Sequence, residues 1–590
     1  MYNYGLIGNC QVSALVSNEG SIDWCCMPRP DSPPIFSRML DQDAGFFRIS
    51  AASSGFSEQK YIQNTNLLET VFSDGNGNSF SVIDFAPRFE QFGRYYRPAT
   101  IIRIVRVISG RPRMTVQCKP TKGWNRELVT LRRGNSHLQY LGLDDELRLS
   151  TNLPLTYLID STPTEISQTF YFALTWGLPI EENLSNTCEL FELKTRNYWH
   201  SWIKHCSIPS EFQQQSIRSA LALKLHCYED TGAILASITT SLPEEFGGVR
   251  NWDYRYCWLR DACFTVSALY RLGHYEELEG LLRFIGNIVS SGSQFDLRPV
   301  YRLDGSLPLP EEEHITWGGF AGSRPVRTGN QAAEHIQNDV YGEILLILAP
   351  IYFDDRFSDL RAEKYRTLFQ QLALRAHRAL KEKDAGLWEH RNGWKIHSFT
   401  LLMSWAGLER YVRLLKSGRI QGDLEEAQRW CGEAVAAMVS SSVDGIMFNS
   451  PDDPSPDAAM LLLPILRFSS AQVCLETVMY LKEHLGIQEA DSDLRVFVYR
   501  YKRLDDFGNP KHAFVVCTFW LIEALSRLGF SDESREMLSR SVRAANHLGL
   551  FSEHYDVVNS LQTGNFPQCY SHVGQINAAF ATSSKWEEIL

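Results

Sequence analysis

No stretch of this chain approaches the roughly twenty consecutive apolar residues that a membrane-spanning helix needs. The longest apolar runs, around Ile344–Pro350 and Met460–Leu466, are far shorter. Positive charge is also in short supply. With 58 Lys and Arg against 69 Asp and Glu the formal net charge is -11, which argues against a nucleic-acid partner, since a phosphate backbone calls for a basic patch. The 13 cysteines are odd in number, irregularly spaced and adjacent at Cys25-Cys26. They read as reduced, buried thiols rather than a disulfide framework. The opening Met1-Tyr2-Asn3-Tyr4-Gly5 lacks the basic segment and long apolar stretch of a signal peptide. These absences point to a soluble, cytoplasmic protein with neither a membrane nor a nucleic acid as partner.

What is present divides into two halves. At 590 residues the chain is too long for a single core. Up to about residue 205 the pattern is mostly of strands. Leu67–Phe72 and Ser79–Phe85 flank Asp74-Gly75-Asn76-Gly77-Asn78, a hairpin signal. Ile101–Ile108 alternates Ile and Val with Arg, breaks at Gly110-Arg111-Pro112, and resumes at Met114–Cys118. An antiparallel β-sandwich over residues 1–205 is the expected fold.

Beyond about residue 210 the period becomes helical. Leu368, Leu372, Ala376, Ala379 and Leu380 form one stripe; Leu424, Ala427, Cys431, Ala434, Val435 and Met438 form another. Ala268-Leu269-Tyr270-Arg271-Leu272-Gly273 is echoed by Ala524-Leu525-Ser526-Arg527-Leu528-Gly529. In each copy a helix ends on Gly and acids open the next. About twelve helices in stacked hairpins are expected over residues 206–590, with a linker helix at the start of that segment. A closed six-hairpin toroid and an open solenoid fit this period equally well.

Three loop segments carry candidate chemistry. Glu389 lies in Gly386-Leu387-Trp388-Glu389-His390-Arg391, between helices expected near 362–382 and 398–415, and Glu553 lies in Phe551-Ser552-Glu553-His554-Tyr555-Asp556. Breaking a glycosidic bond takes two carboxyl groups, one protonated toward the leaving oxygen and one ionised toward water or carbon. Trp388 beside Glu389 would raise its pKa by desolvation, whereas Ser552, His554 and Asp556 offer Glu553 a polar setting that favours the ionised form. The third segment, Asn251–Asp261, packs four aromatics (Trp252, Tyr254, Tyr256 and Trp258) and the pair Arg260-Asp261 into eleven residues. It reads either as a sugar platform with Arg260 and Asp261 gripping neighbouring hydroxyls, or as an aromatic core cluster with a capping ion pair.

Taken in order, these segments resemble family fifteen of the glycoside hydrolases, the glucoamylase family, in its bacterial and archaeal cytoplasmic members. The likeness runs over nearly the whole chain. It begins at Tyr4-Gly5-Leu6-Ile7-Gly8-Asn9-Cys10, continues through Gly20–Trp24 and Pro28–Pro33, and includes Gly322–Asn330 and Gly564–Gln568 through Ser571-His572. The resemblance implies an N-terminal β-sandwich and an (α/α)6 barrel, with inverting hydrolysis of a terminal α-glucosidic bond and no metal or organic cofactor. By position it implies Glu389 as general acid and Glu553 as general base. Arg260, Asp261, Trp258, Trp388, the Leu387 carbonyl and Tyr254 would surround the first sugar, and Arg324 and Arg327 would border the second. The two carboxyl groups should stand roughly 6.5–9.5 Å apart, leaving room for water.

Some positions depart from the family. His554 stands where Gln or Glu is more usual, His335 replaces a common Gln, and Lys511-His512 brings a cation toward the expected second-sugar site. The leading expectation is an exo-acting glucoamylase-type α-glucosidase on malto- or isomalto-oligosaccharides. The alternative is an α,α-trehalase, and a non-catalytic sugar-binding relative or a phosphorylase is set against retention of both glutamates. Glu311-Glu312-Glu313-His314 reads as a solvated acidic loop. His390 and His397 lack partners at zinc-ligand spacing, His572 reads as a packing residue, and Asp452–Asp457 as a turn-rich loop. Oligomeric state is not legible.

Overall fold

The structure is a computed structural model that describes residues 2–180, 182–291, 295–488 and 494–590, side chains excepted at 291, 363 and 364. Its first part is two facing antiparallel sheets. One runs in the order Tyr4–Gly8, Ser13–Ser17, Ser21–Cys26, Phe46–Ala51, Arg113–Lys119, Thr164–Glu165, with Pro34–Phe36 paired to the third strand. The other runs Thr130–Arg133, His137–Leu141, Leu147–Thr151, Phe170–Trp176, Thr100–Ser109, Ser79–Phe85, Leu68–Ser73, Phe56–Tyr61.

The expected hairpin forms, with Ser73 opposite Ser79. Asp74 holds its turn by accepting from the backbone of Asn76 at 2.8 Å and of Asn78 at 3.2 Å. Two details differ from the strand pattern. The strands on either side of Gly110-Arg111-Pro112 go to different sheets instead of pairing with each other. And Arg103, which alternation places toward solvent, is fully buried. Its guanidinium donates to Asp84 at 2.6 and 3.1 Å and, across the interface, to the Phe47 and Gly20 carbonyls at 2.7 and 2.8 Å. Paired with Asp84 on the neighbouring strand of its own sheet, the guanidinium thus ties that sheet to the other through two carbonyls, its five donors nearly all used.

A short helix, α1 (Leu155–Ile159), and a long one, α2 (Leu184–Lys204), follow. The linker helix expected past residue 205 is therefore earlier in the chain. It packs on the Phe89–Gln91 and Phe170–Trp176 strands, with Phe191 5.2 Å from Phe89.

The second part holds α3 (Gln213–His226), α4 (Leu259–Arg271), α5 (Glu276–Ser291), α6 (Asp339–Phe353), α7 (Glu363–Ala379), α8 (Ser398–Lys416), α9 (Leu424–Ser440), α10 (Leu462–Ile465), α11 (Ala471–Leu485), α12 (Val515–Arg527), α13 (Ser531–Ser541) and α14 (Cys569–Thr582). The even-numbered helices from α4 onward form an inner ring: α4 packs on α6, α6 on α8, α10 on α12 and α12 on α14, α8 meets the 3-10 turn Ala458–Leu461 that leads into α10, and α14 returns onto α4. The toroid is closed.

The sequence shows why these helices are inside. α6, α8 and α12 are buried on nearly every face, as an apolar helix without a polar side must be. α9 buries only Ala427, Ala434 and Met438 and belongs to the outer ring. α6 and α8 touch through Gly342 and Gly407; a Cβ on Gly407 would come within 2.8 Å of the Gly342 Cα. Connections from inner to outer helices are short, such as those at Gly273 and Gly529, the two copies of the repeated turn. Connections from outer to inner helices are long and gather at one mouth, and both glutamates lie on them. Among the described residues no helix is long and apolar enough to cross a membrane.

Candidate active site

Two adjoining cavities open at that mouth. The inner one, about 460 Å³, is lined by Tyr254, Trp258, Arg260, Asp261, Leu387, Trp388, Glu389 and Glu553, together with Arg500, Phe514, Gln568 and Tyr570. Both glutamates, 164 positions apart in sequence (553 − 389), face one space. The outer cavity, about 510 Å³, shares Tyr254, Trp388, Glu389 and Arg500 and adds Glu244, Arg250, Trp252, His335, Arg391, Asp505 and Phe507.

Glu389 is held by a strained turn. Its φ of 60° is left-handed, which a non-glycine residue rarely adopts. Gly386, at φ 69°, sets up the turn, and Glu389 N–H donates to its carbonyl at 3.1 Å. The carboxylate accepts from the Trp258 indole at 2.6 Å and from Arg260 at 3.3 Å. Trp388 lines the cavity, but its N–H is anchored on both Asp457 oxygens at 3.0 and 2.9 Å, and the indole bonded to Glu389 is Trp258.

Glu553 precedes the strand His554–Asp556, which pairs with Ala513–Phe514 and Leu561–Thr563. The helix before it, α13, ends at Ser541, with one 3-10 turn to Ala544. The polar setting is also different from that expected. Glu553 is 2% exposed, and the Ser552 hydroxyl donates to the His554 carbonyl instead of the carboxylate. The His554 ring, 3.4 Å from Glu553 Oε2, is the neighbour that counts. Gly564 lies against both; a Cβ there would meet Glu553 Oε2 at 2.7 Å and His554 Nδ1 at 2.9 Å.

At the first turn of α4, burial pushes Asp261 up to about 7, opposed by Arg260 and reinforced by Glu389 and Glu553. Arg260 reaches behind the cavity to Gln337 at 3.0 Å and Asp339 at 3.7 Å. Because the folded pKa of Asp261 exceeds its ordinary 3.8, the folded state holds the extra proton between about pH 4 and pH 7. Its contribution to stability is full below that window and is lost as pH rises through it. The Asp261→Asn variant should therefore lose less melting temperature than the parent between pH 4 and pH 8, as calorimetry at stepped pH will read. Asp384, raised to about 7 by its own burial, adds a slope of the same sign in both proteins.

Not every expected contact is made. Arg324 lies outside both cavities, in a groove with Tyr2, Asp23 and Arg38, and donates to the Gly318 carbonyl at 3.3 Å. Arg327 is buried one layer back, 4.7 Å over the Trp252 ring and bonded to Glu313 at 2.8 Å. Lys511 is exposed and paired with Glu245 at 2.7 Å, away from the cavities. The expected solvated loop at Glu311–His314 is instead a strand, Glu312–His314, paired with Val326–Thr328. Glu311 accepts a bidentate bond from Arg391 at 2.9 and 2.8 Å. His335 reaches the outer cavity, and His572 is a packing residue that accepts from the Phe551 N–H at 3.3 Å.

Other cavity residues were missed from sequence. Arg500 donates to Glu244 at 3.0 Å and lies against the Phe514 ring at 5.7 Å. Tyr499-Arg500-Tyr501-Lys502-Arg503, a basic run interleaved with aromatics, was the available signal. Arg391 stands 5.0 Å from both the Trp252 and Phe507 rings. The sandwich braces this wall: Trp24 donates to the Ile238 carbonyl at 2.8 Å, Arg255 to the Ser32 carbonyl at 2.9 Å, and the Tyr2 hydroxyl to the Gly564 carbonyl at 3.0 Å. Glu244, Glu553 and His554 bring one potential ligand atom each within 4.8 Å of one another. Arg500 already supplies a cation to that cluster, so it reads as an ion-pair cluster rather than a metal centre.

A closed six-hairpin barrel with two glutamates facing one aromatic-walled cavity is the architecture of a glycoside hydrolase, and the comparisons agree. Residues 211–580 match the profile of Glycosyl hydrolases family 15 and residues 2–162 that described as Trehalase-like, N-terminal. The chain belongs to glycosyl hydrolase family 15. It is 29% identical to a trehalase of Mycolicibacterium smegmatis over 98% of this chain and 90% of that one. It is 31% identical to trehalase 1 of Sulfolobus acidocaldarius over 96% of each. Its fold is similar to that of a bacterial glucoamylase complexed with acarbose, with a TM-score of 0.65, 14% identity and 98% of this chain and 94% of that one covered.

Proposed function

We propose that the protein is an inverting α,α-trehalase. The observation that carries this reading over a glucan-cleaving one is the match, along nearly the whole chain, to relatives named trehalase, whereas the likeness to glucoamylase is one of fold alone. The outer cavity agrees in chemistry. Glu244, Arg250, Arg391 and Asp505 border it, a polar wall suited to the C2, C3, C4 and C6 hydroxyls of a second glucose.

One glucose occupies the inner cavity, with Arg260 and Asp261 on its hydroxyls and aromatic faces on its C–H surface. Glu389 is the general acid. It protonates the bridging oxygen as that bond lengthens, while the Trp258 N–H and Arg260 steady its carboxylate. Glu553 is the general base and takes a proton from water on the opposite face of the ring. The inner glucose leaves as the β anomer and the outer one as the α anomer.

Proton NMR of the first products tests this directly. Trehalose should give α- and β-glucose in equal initial amounts, and maltose and isomaltose should react far more slowly. Maltose cleaved as fast as trehalose would return the reading to glucoamylase, and α-glucose alone from trehalose would rule out inversion.

A further inference from the structure

His554 is buried between two carboxylates. Its Nδ1 lies 3.4 Å from Glu553 Oε2 and its Nε2 3.7 Å from Glu244 Oε2. The ring is 2% exposed, and neither ring nitrogen nor Glu553 Oε2 has a hydrogen-bond partner, so the two carboxylates face the ring at ion-pair distance only. Phe514 meets the ring edge-on at 4.6 Å, and the Gly564 backbone closes another side. A neutral imidazole has one N–H and one bare lone pair; only the imidazolium presents a donor at both nitrogens. With carboxylate oxygens on both sides, a neutral ring would turn its lone pair on one of them in a low-dielectric setting.

The surrounding charges balance on the same assignment. Glu244 and Glu553 are negative and Arg500 is positive, bonded to Glu244 at 3.0 Å. Arg250 stands 3.9 Å from Glu244 and is itself paired with Asp505. His512 on the paired strand faces Asp556 at 3.9 Å, and Tyr2 and Tyr254 approach Glu553 as neutral phenols. One further positive charge makes the group of Glu244, Glu553, Arg500 and His554 neutral overall.

We propose that His554 is a positioning residue, held as an imidazolium between Glu553 and Glu244, which keeps Glu553 ionised and aimed. The proposal rests on Glu553 being the base. A ring without that proton would leave Glu553 unsupported and lower turnover.

The test combines kcat–pH profiles on trehalose for the parent, His554→Gln and Glu244→Gln with NMR of the full protein carrying labelled histidine, the His554 signal being identified by its loss in His554→Gln. In His554→Gln, kcat should fall by about 10–100-fold with KM little changed, and the parent's alkaline limb should vanish or move. In Glu244→Gln, that limb should move to lower pH by about one unit, because one of the two supporting charges is gone. The ring should report the imidazolium over the range of full activity. An alkaline limb unmoved in both variants, or a neutral ring at the pH of full activity, overturns the proposal. Should His554→Gln not fold, Glu244→Gln and His554→Asn carry the same comparison. Glu553→Gln separates the two readings. If it keeps turnover the base assignment falls, and if it is inactive while the ring is neutral only the role of His554 falls.

Discussion

Glutamine at position 389 should lower kcat on trehalose by about a hundred- to ten-thousand-fold, the usual contribution of a positioned proton donor, while melting temperature and far-ultraviolet dichroism stay unchanged. The amide fills the same volume and can still accept from Trp258 and Arg260, which now bond Glu389 at 2.6 and 3.3 Å. What it cannot do is give up a proton to the bridging oxygen. The deficit should therefore depend on the leaving group. α-Glucosyl fluoride, whose fluoride departs without protonation, should be hydrolysed by Glu389→Gln within about tenfold of the parent rate, a difference in barrier of only about 1.4 kcal/mol. Equal losses on trehalose and on the fluoride would assign Glu389 to binding or structure instead of to acid catalysis.

The second large effect belongs to Glu553→Ala. Removing the carboxylate leaves the attacking water without a base and should again cost about a hundred- to ten-thousand-fold in kcat. Here the fluoride should not rescue turnover, because its advantage lies at the other end of the reaction. Added azide should. The vacated volume beside Gly564 and the Tyr254 wall admits a small anion that needs no deprotonation, and its attack from the water side on an α-glucoside gives β-glucosyl azide with departure of the leaving group. Recovery of the α-azide, or of no azide product while the fold is retained, would remove Glu553 from its assigned face. One variant is rescued by a better leaving group and the other by an external nucleophile, and this complementarity distinguishes an acid–base pair from two residues that merely shape a pocket.

Much of this was legible along the chain, because it depends on neighbours within a few residues. The hairpin at Asp74–Asn78 follows from turn chemistry, and the α7 stripe from Leu368 to Leu380 is buried throughout, as its 3.6-residue period requires. The cavity wall at Tyr254, Trp258, Arg260 and Asp261 forms as a local cluster at the opening of α4. The failures have a common cause. Strand alternation reports the face of one strand and says nothing of Asp84 on the neighbouring strand, which lets Arg103 be buried. Arg324 and Arg327 were placed by position in a motif, whereas the packing of their loop turns one outward and the other behind Trp252. Trp388 sits next to Glu389 in sequence, yet the indole that bonds the carboxylate comes from Trp258, 131 positions away.

By itself the amino-acid sequence determined a strand-rich first part, a helical second part of paired hairpins, and two loop glutamates in sugar-binding surroundings. These are consequences of period, turn residues and side-chain chemistry, each decided within a turn or two of the chain. The tertiary structure alone decided that the ring of helices closes, with α14 on α4, and that six long connections share one mouth. It also decided the left-handed backbone at Glu389 and the enclosure of His554 between Glu553 and Glu244. Contacts of that kind join residues hundreds of positions apart, and which of them form depends on how whole helices pack, a condition that no local pattern encodes.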